Sequence, residues 1–307
     1  MSEPTGLFRH GGPLQRSMTD MFASLGLDDG ARTLRAVFDA ERPALDELFR
    51  KRAQWPELFR RLALFPEGEC ERAAAEYLDW RADILYWKAL VGIYSSELQG
   101  RVVVRGLENL RAADDGTSRF VLAPFHIRQF PLLVPALRSL GTRYVVIASV
   151  NNPGDVTADP LPEQPTVVLD SKDSLVLLRA RQAMAQQRAL VVYPDLQRGG
   201  APQRIQLPFV GRELVAQSSW HLFCLNEQIP ALPCFVTAGP GNTVEMTIGE
   251  PLEPPRNEDE AAEMVRRLYA FYEQPVRESG MQWEGWAEAA WVGDDVLADA
   301  PDPVKLP

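Results

Sequence analysis

The stretch "RFVLAPFH", residues 119–126, decides how this chain can fold. It begins as an apolar run, which is typical of a strand that is buried on both faces of a sheet. The run ends at His126, one of only three histidines in the chain. A histidine that leaves a buried strand lies at a sheet edge, and a neutral imidazole is the natural base near neutral pH. His126 is therefore the first candidate for a catalytic residue.

The chain around this stretch alternates between strand-like and helix-like segments from residue 101 onward. The strand-like segments are "RVVVRG", "RYVVIASV", "TVVLD", "ALVVYPD" and a closing pair, "PALPCFVTAG" and "TVEMTIGEPL". The helix-like segments between them are "LLVPALRSLG", "SKDSLVLLRARQAMAQQR" and "SSWHLFCLNEQI". This alternation predicts an α/β fold in which a mixed central sheet is flanked by helices.

The N-terminal part has a different pattern. Residues 17–98 place apolar side chains at three- and four-residue spacings, which predicts amphipathic helices. Pro43 and Pro56 are expected to begin new helices. We therefore expect a helical subdomain at 1–100 and an α/β domain at 101–290. Residues 291–307, acidic and rich in proline, are expected to be a disordered tail.

The composition narrows the classes of partner. The net charge of −10 argues against nucleic acid and anionic membranes, which need clustered Lys and Arg. Residues 101–215, however, hold 14 Lys and Arg against 10 Asp and Glu, whereas residues 250–307 hold 5 against 14. The positive middle third suggests an anionic substrate or an acidic carrier protein. A random scatter of surface arginines explains the same count equally well.

Cysteine content and hydropathy point to a cytoplasmic protein without a metal or organic cofactor. Three scattered cysteines, Cys70, Cys224 and Cys234, are too few for a disulfide framework or a zinc site, and each is expected to be a buried small apolar side chain. No apolar run approaches the length of a bilayer span, and the N-terminus lacks a signal-peptide pattern. We expect at most peripheral contact with a membrane.

Five signals follow one another in a fixed order along the α/β part. They are Gly106-x-Glu108-Asn109-Leu110, His126, Pro194-Asp195, Phe209-x-Gly211 and Pro233. Over about residues 103–252 this series resembles the bacterial lipid A acyltransferases, the lauroyl and myristoyl transferases, within the glycerol-phosphate and lysophospholipid acyltransferase superfamily. A further segment, "LFPEGE" at 64–69, resembles a phosphate-site motif of that superfamily but stands upstream of His126, in the reverse order. We interpret it as a turn between helices.

The resemblance implies a glycerol-phosphate acyltransferase-like fold and an activity. The enzyme would move an acyl group from a thioester donor, an acyl-carrier protein or acyl-CoA, to a hydroxyl or amine acceptor, with His126 as the general base. The family usually has an N-terminal membrane anchor, whereas this chain has amphipathic helices there. A small-molecule or carrier-bound acceptor therefore suits it better than lipid A.

This chain departs from the family at the acidic residue of the histidine motif. The family places Asp or Glu five residues after the histidine, where this chain has Pro131. Another group could replace that acid, with Asp195, Asp155 and Gln129 as candidates. Alternatively, His126 acts alone on a reactive acceptor, or the protein is a non-catalytic acyl- or carrier-protein-binding subunit of a biosynthetic complex. A hydrolase that uses water as the acceptor is a further option.

Four more residues are candidates for substrate binding. Arg128 and Arg198 could grip an anion, because a guanidinium matches phosphate or carboxylate with two hydrogen bonds, although Arg128 could equally face solvent. Gly199, beside Arg198, and Phe209, from the Phe-x-Gly signal, complete the predicted substrate-binding set. His221 lies in an apolar helix-like segment and is expected to be a core histidine.

Overall fold

The fold is described from a computed structural model. The structure describes residues 19–52, 59–60, 65–114, 116–148, 167–171, 173–195, 204–217, 219–288 and 290–291. Four of the residues discussed above, Pro56, Asp155, Arg198 and Gly199, lie outside these ranges.

The described residues form helices and strands in the alternating order that the sequence predicts. The helices are α1 (Leu27–Arg52), α2 (Cys70–Gln99), α3 (Leu107–Ala113), α4 (Leu133–Ser139), α5 (Val176–Met184), α6 (Trp220–Glu227), α7 (Glu258–Ser279) and α8 (Gly285–Glu288). The strands are β1 (Val102–Arg105), β2 (Val121–Pro124), β3 (Tyr144–Ala148), β4 (Val167–Asp170), β5 (Ala189–Val191), β6 (Arg204–Phe209), β7 (Arg212–Gln217), β8 (Ala231–Gly239), β9 (Thr243–Ile248) and β10 (Ala290–Trp291).

Seven of the strands build the central sheet, in the order β1-β9-β8-β2-β5-β3-β4. Neighbours pair in parallel except β8 and β9, the antiparallel pair expected to close the sheet. Strand β2 lies in the middle and is buried along its whole length. The protein is therefore a mixed α/β fold with a seven-stranded central sheet flanked by helices, as predicted.

The core is divided by this sheet into two apolar clusters. Val121 and Ala123 of β2 face one cluster, whereas Phe120 and Leu122 face the other, because successive side chains of a strand point to opposite faces. The three cysteines are free and buried within these clusters, as expected from the sequence. In the described part of the chain, no helix is long and apolar enough to cross a membrane.

A tyrosine hydroxyl stabilises the join between β2 and β8. Ala123 pairs with Pro233, which has no backbone N–H to donate to the ladder. The Tyr272 hydroxyl, from α7, lies 2.8 Å from the Ala123 carbonyl oxygen and 2.5 Å from that of Cys234, and accepts from the Cys234 N–H at 2.9 Å. The hydroxyl thus supplies hydrogen bonds between β2 and β8 at the pair where Pro233 cannot donate, three residues before His126.

The two N-terminal helices pack on each other and on the sheet. Arg42 of α1 bonds Asp46 in its own helix and reaches Asp79 and Asp83 of α2. The expectation that Pro43 begins a new helix is wrong, because α1 continues through it. Arg42, directly before Pro43, forms ion pairs with carboxylates of both helices.

A second, small sheet was not expected from the sequence. Strands β6 and β7 form an antiparallel hairpin, and β10 adds to it in the order β10-β7-β6. The segment "RIQLPF" of β6 alternates exposed and buried side chains, the period that identifies a half-buried strand. Because β10 spans residues 290–291, it crosses the domain boundary expected at residue 290.

Candidate active site

His126 and Asp195 meet because β2 and β5 are neighbours in the central sheet. The two strands are parallel, and Leu122 pairs with Val191. His126 follows Leu122 by four residues and Asp195 follows Val191 by four, so the two side chains leave the sheet edge at the same level. Asp195, one of the three candidates to replace the missing acid, therefore lies beside His126.

The Asp195 carboxylate accepts three hydrogen bonds. Its Oδ1 lies 3.0 Å from Nδ1 of His126, and its Oδ2 accepts from the His126 backbone N–H at 2.7 Å and from the Trp283 indole N–H at 3.0 Å. Asp195 is only 1% exposed. With a carboxylate at Nδ1, the neutral imidazole carries its proton on Nδ1 and a lone pair on Nε2. This is the tautomer that a general base requires.

A short C-terminal segment, residues 282–284, is called the strap below. It runs antiparallel to the chain at His126, with a bridge between Ile127 and Trp283. Glu284 donates its backbone N–H to the His126 carbonyl at 3.0 Å, and the Arg128 N–H donates to the Gln282 carbonyl at 2.8 Å. The strap fixes the backbone of the histidine and also supplies the indole that bonds Asp195.

Helix α2, from the N-terminal part of the chain, packs against the segments that hold His126. Its Trp80 donates the indole N–H to the Arg128 carbonyl at 2.7 Å, and its Arg81 forms a buried ion pair with Glu284 of the strap. Burial would raise the pKa of Glu284, but the charges of Arg81 and His126 outweigh it and hold the pKa at about 2. A second ionised carboxylate therefore accompanies the imidazole.

Two aromatic rings contact the imidazole. Tyr193 stacks on it with ring centroids 4.1 Å apart, and Phe130 meets it at an interplanar angle of 77°. Burial, with smaller effects from Cys234 and Asp195, raises the pKa of Tyr193 well above its ordinary value. Tyr193 therefore presents a neutral phenol to the imidazole.

The other predicted site residues have different surroundings. The side-chain oxygen of Gln129 accepts from the Ala238 N–H in β8 at 3.2 Å. Arg128 reaches Glu278 of α7 at 3.3 Å, and its guanidinium lies over the ring of Phe235. The backbone of Arg128 has a φ of 50°, which a non-glycine residue adopts at a cost in strain. The strap and Trp80 hold it there.

Phe209, which the sequence predicts to bind substrate, lies in the core. It is 1% exposed and touches Phe125, Tyr269 and Trp283. Its ring thus supports Trp283, the indole that bonds Asp195. His221 is also a core residue, as expected, and burial lowers its pKa to about 4.

Pro131 replaces the acid of the family motif at a point where Asp195 already bonds the imidazole. It lies in a 3₁₀ turn at Phe130–Leu132, and α4 begins directly after it at Leu133. Proline suits the first turn of a helix, where no intrahelical partner exists for its missing N–H. Since Asp195 already bonds Nδ1, an acid at residue 131 would have no vacant ring nitrogen on that side.

The first of the five sequence signals has a structural role two strands away from β2. Gly106 precedes α3 with a φ of 79°, and a Cβ there would lie 2.0 Å from the Ile248 carbonyl oxygen at the end of β9. The Asn109 side chain donates to the same oxygen at 3.0 Å. Glycine is therefore required for close approach of the two chains.

The chain matches no known family model and no curated protein. In the described part, no cluster of three or more His, Cys, Asp and Glu side chains could hold a metal ion. The geometry around His126 thus defines the site as a buried His–Asp pair at the edge of a mixed sheet.

Four residues of this site were missed by sequence reasoning: Arg81, Tyr193, Trp283 and Glu284. Tyr193 stands beside Pro194 and Asp195 in a signal that was already recognised, so it could have been found. Trp283 lies in a segment with three tryptophans, at residues 283, 286 and 291, but no motif there marks it as a partner of Asp195. The ion pair links positions 203 residues apart, and no local pattern connects them.

Proposed function

We propose that this protein is an acyltransferase with a glycerol-phosphate acyltransferase-like fold, which moves an acyl group from a thioester donor to a hydroxyl or amine acceptor. The observation that carries the proposal is the hydrogen bond between Nδ1 of His126 and the buried Asp195 carboxylate. From the loop after β5 it supplies the acid that the family motif has at the position of Pro131 in this chain. The order of the sequence signals, with the histidine after β2 and the acid after β5, supports the same assignment.

The reaction needs a base and no covalent nucleophile, since a thioester is already activated. Nε2 of His126 takes the proton of the acceptor hydroxyl or amine, whose oxygen or nitrogen attacks the thioester carbonyl carbon. The tetrahedral intermediate collapses with cleavage of the C–S bond, and the imidazolium returns its proton to the leaving thiolate. The products are an ester or amide and a free thiol. Asp195 stabilises the imidazolium and keeps its orientation.

The donor and acceptor classes follow from the charge distribution and the resemblance. Residues 101–215 are net positive, which suits an acidic acyl-carrier protein or the phosphates of acyl-CoA. The acceptor would be a small molecule or a carrier-bound intermediate. We place the protein in the cytoplasm, where both kinds of donor occur.

The test is thiol release from a panel of acyl-carrier-protein and acyl-CoA thioesters, with and without candidate hydroxyl and amine acceptors. His126→Ala is compared with wild type, and His221→Asn is the matched control, because it also removes a buried histidine but away from the site. Acceptor-dependent release that His126→Ala abolishes and His221→Asn retains supports the proposal.

Two outcomes would contradict it. Wild type that binds the acyl carrier without releasing thiol would identify a binding subunit of a biosynthetic complex, the alternative left by the sequence. Release that is independent of any acceptor and yields free acid would identify a hydrolase.

A further inference from the structure

The proton transfer described above does not account for the stacking of Tyr193 on His126. The two ring centroids are 4.1 Å apart and the planes differ by 29°, so the phenol covers one face of the imidazole. Phe130 approaches at a steep angle, with its centroid 4.8 Å away. Asp195 meets the edge of the same ring at Nδ1. The imidazole is therefore contacted on its face by Tyr193, at its edge by Asp195 and at a steep angle by Phe130.

The tripeptide Tyr193-Pro194-Asp195 explains how one segment reaches both the face and the edge. Proline disfavours helical backbone in the residue before it, which biases Tyr193 towards an extended conformation. The chain then turns at Pro194 and Asp195, which brings the Asp195 carboxylate to the edge of the His126 ring while Tyr193 lies on its face. The Tyr269 hydroxyl donates to the Pro194 carbonyl at 3.0 Å and anchors the tripeptide to α7.

The phenol face has two physical effects on the imidazole. It blocks rotation about the side-chain bond that would exchange Nδ1 for a ring carbon in front of Asp195. It also presents the electron-rich face of an aromatic ring to a group that becomes a cation when it accepts a proton. Both effects favour the state that follows proton abstraction.

We propose that Tyr193 is a positioning residue for His126, whose ring face fixes the imidazole plane and stabilises the imidazolium. The proposal rests on the function proposed above, because it assigns the phenol a role in that reaction. The ring is the active feature, and the hydroxyl is not needed. Tyr193 touches the base and is not assigned any contact with substrate.

Other charged groups around the imidazole set the background against which Tyr193 acts. In the described part of the chain they include Asp195 in the loop after β5, Glu284 on the strap, Arg81 on α2 and Arg128 in the turn after His126. A substitution at Tyr193 that keeps the fold leaves all four in place. A change in the titration of His126 can then be assigned to the ring.

The experiment compares Tyr193→Phe, which keeps the ring, with Tyr193→Leu and Tyr193→Met, which remove it. The titration of the His126 imidazole is followed by NMR in ¹⁵N-labelled protein, and His126→Asn assigns the signal. Tyr193→Phe should titrate like wild type. The two aliphatic variants should lower the imidazole pKa by about half a unit, which corresponds to a cation–π contribution of about 0.7 kcal/mol. Met provides a second, more adaptable filling of the site if Leu prevents folding.

Kinetics give the second readout. We expect thiol release by the aliphatic variants to fall about threefold in kcat, the factor that half a pKa unit corresponds to, with little change in KM, since stabilisation of the imidazolium is a transition-state effect. Aliphatic variants that titrate and react like wild type would overturn the proposal, as would a Tyr193→Phe variant as impaired as they are. If wild type releases no thiol, the function proposed above fails, whereas the NMR titration still tests the effect of the ring.

Discussion

Replacement of Asp195 by Asn removes a charge from the His–Asp pair without changing its shape. The two carboxylate oxygens accept three hydrogen bonds, two at Oδ2 and one at Oδ1. Asparagine has one oxygen acceptor and one N–H₂ donor. The orientation that keeps the two bonds from the His126 backbone and Trp283 places the amide N–H₂ in front of Nδ1. Nδ1 must then accept, and the imidazole proton moves to Nε2.

The expected losses differ in size for activity and for stability. The wrong tautomer removes the lone pair of the base, and the same substitution beside a catalytic histidine of a serine protease lowers kcat about 10⁴-fold. We expect a fall of about 10³- to 10⁴-fold here. One charge-assisted bond worth about 1.5–3 kcal/mol is lost and a neutral bond worth about 1 kcal/mol is gained, so the free energy of unfolding should fall by only about 0.5–2 kcal/mol. Asp195→Asn should therefore remain folded.

Three measurements on one preparation check this reasoning. ¹⁵N NMR identifies which ring nitrogen of His126 carries the proton, urea denaturation gives the change in stability, and thiol release gives the rate. Asp173→Asn is the matched control. Asp173 lies in the loop before α5, where its side chain accepts from the Leu175 N–H and pairs with Arg179, and its substitution should change neither tautomer nor rate.

Two results would refute the argument. Asp195→Asn that keeps the proton on Nδ1 would show that the carboxylate does not select the tautomer. A variant that keeps more than a tenth of the wild-type rate, with the proton on Nε2, would show that His126 is not the base.

Three further predictions concern residues around the site. Pro131→Asp, which introduces the acid of the family motif, should not raise the rate of thiol release, because Asp195 already bonds Nδ1. It should lower the free energy of unfolding by about 2 kcal/mol, because residue 131 is buried. A rate gain measured in the same assay would contradict this. Glu284→Gln should destabilise the fold by about 3–5 kcal/mol in urea denaturation at pH 7, since it leaves Arg81 buried without its carboxylate. The folded-state pKa of Glu284, about 2, is below its ordinary value of 4.5. Its stabilisation is therefore present above pH 4.5 and lost as the pH falls towards 2, a loss of about 3 kcal/mol that acid titration should detect in wild type and not in Glu284→Gln. Tyr272→Phe should lower the free energy of unfolding by about 2–4 kcal/mol in thermal or urea denaturation, because a strand N–H and a strand carbonyl lose their partner in a buried position.

Matched variants give these predictions their controls. Tyr269→Phe removes a single bond, from a hydroxyl to the Pro194 carbonyl, and should cost about 1 kcal/mol, less than Tyr272→Phe. Glu273→Gln breaks an ion pair with Arg277 that is exposed on α7, and should cost less than about 1 kcal/mol. Equal losses for Tyr269→Phe and Tyr272→Phe, whose hydroxyls are both buried, would show that the number of lost bonds does not decide the effect. Equal losses for Glu273→Gln and Glu284→Gln would show that burial of the ion pair does not decide it.

Much of the fold follows from the sequence because its signals are local. The apolar run before His126 predicts a strand buried on both faces, and β2 is such a strand. The segments around Pro233 and Met246 predict a closing pair of strands, which β8 and β9 form. The hairpin of β6 and β7 was missed, although the period-two pattern of β6 was present in the sequence.

The site was only half predictable. His126 was identified from its position after a buried strand, and Asp195 was one of three candidates for its partner. No sequence pattern ranked Asp195 above Gln129, because the choice depends on which strand lies beside β2. That order comes from packing of helices on both faces of the sheet, which joins segments distant along the chain.

The sequence by itself determined the strand that ends in His126, the loop that carries Asp195 and the absence of an acid at Pro131. Only the tertiary structure decided that β5 lies next to β2 in the register that sets the two side chains level. It also decided that Trp283, 88 residues after Asp195, donates to the same carboxylate. The physical reason is that hydrogen bonds within a strand or helix are set by neighbouring residues, whereas a buried carboxylate takes its partners from whichever segments the core brings together.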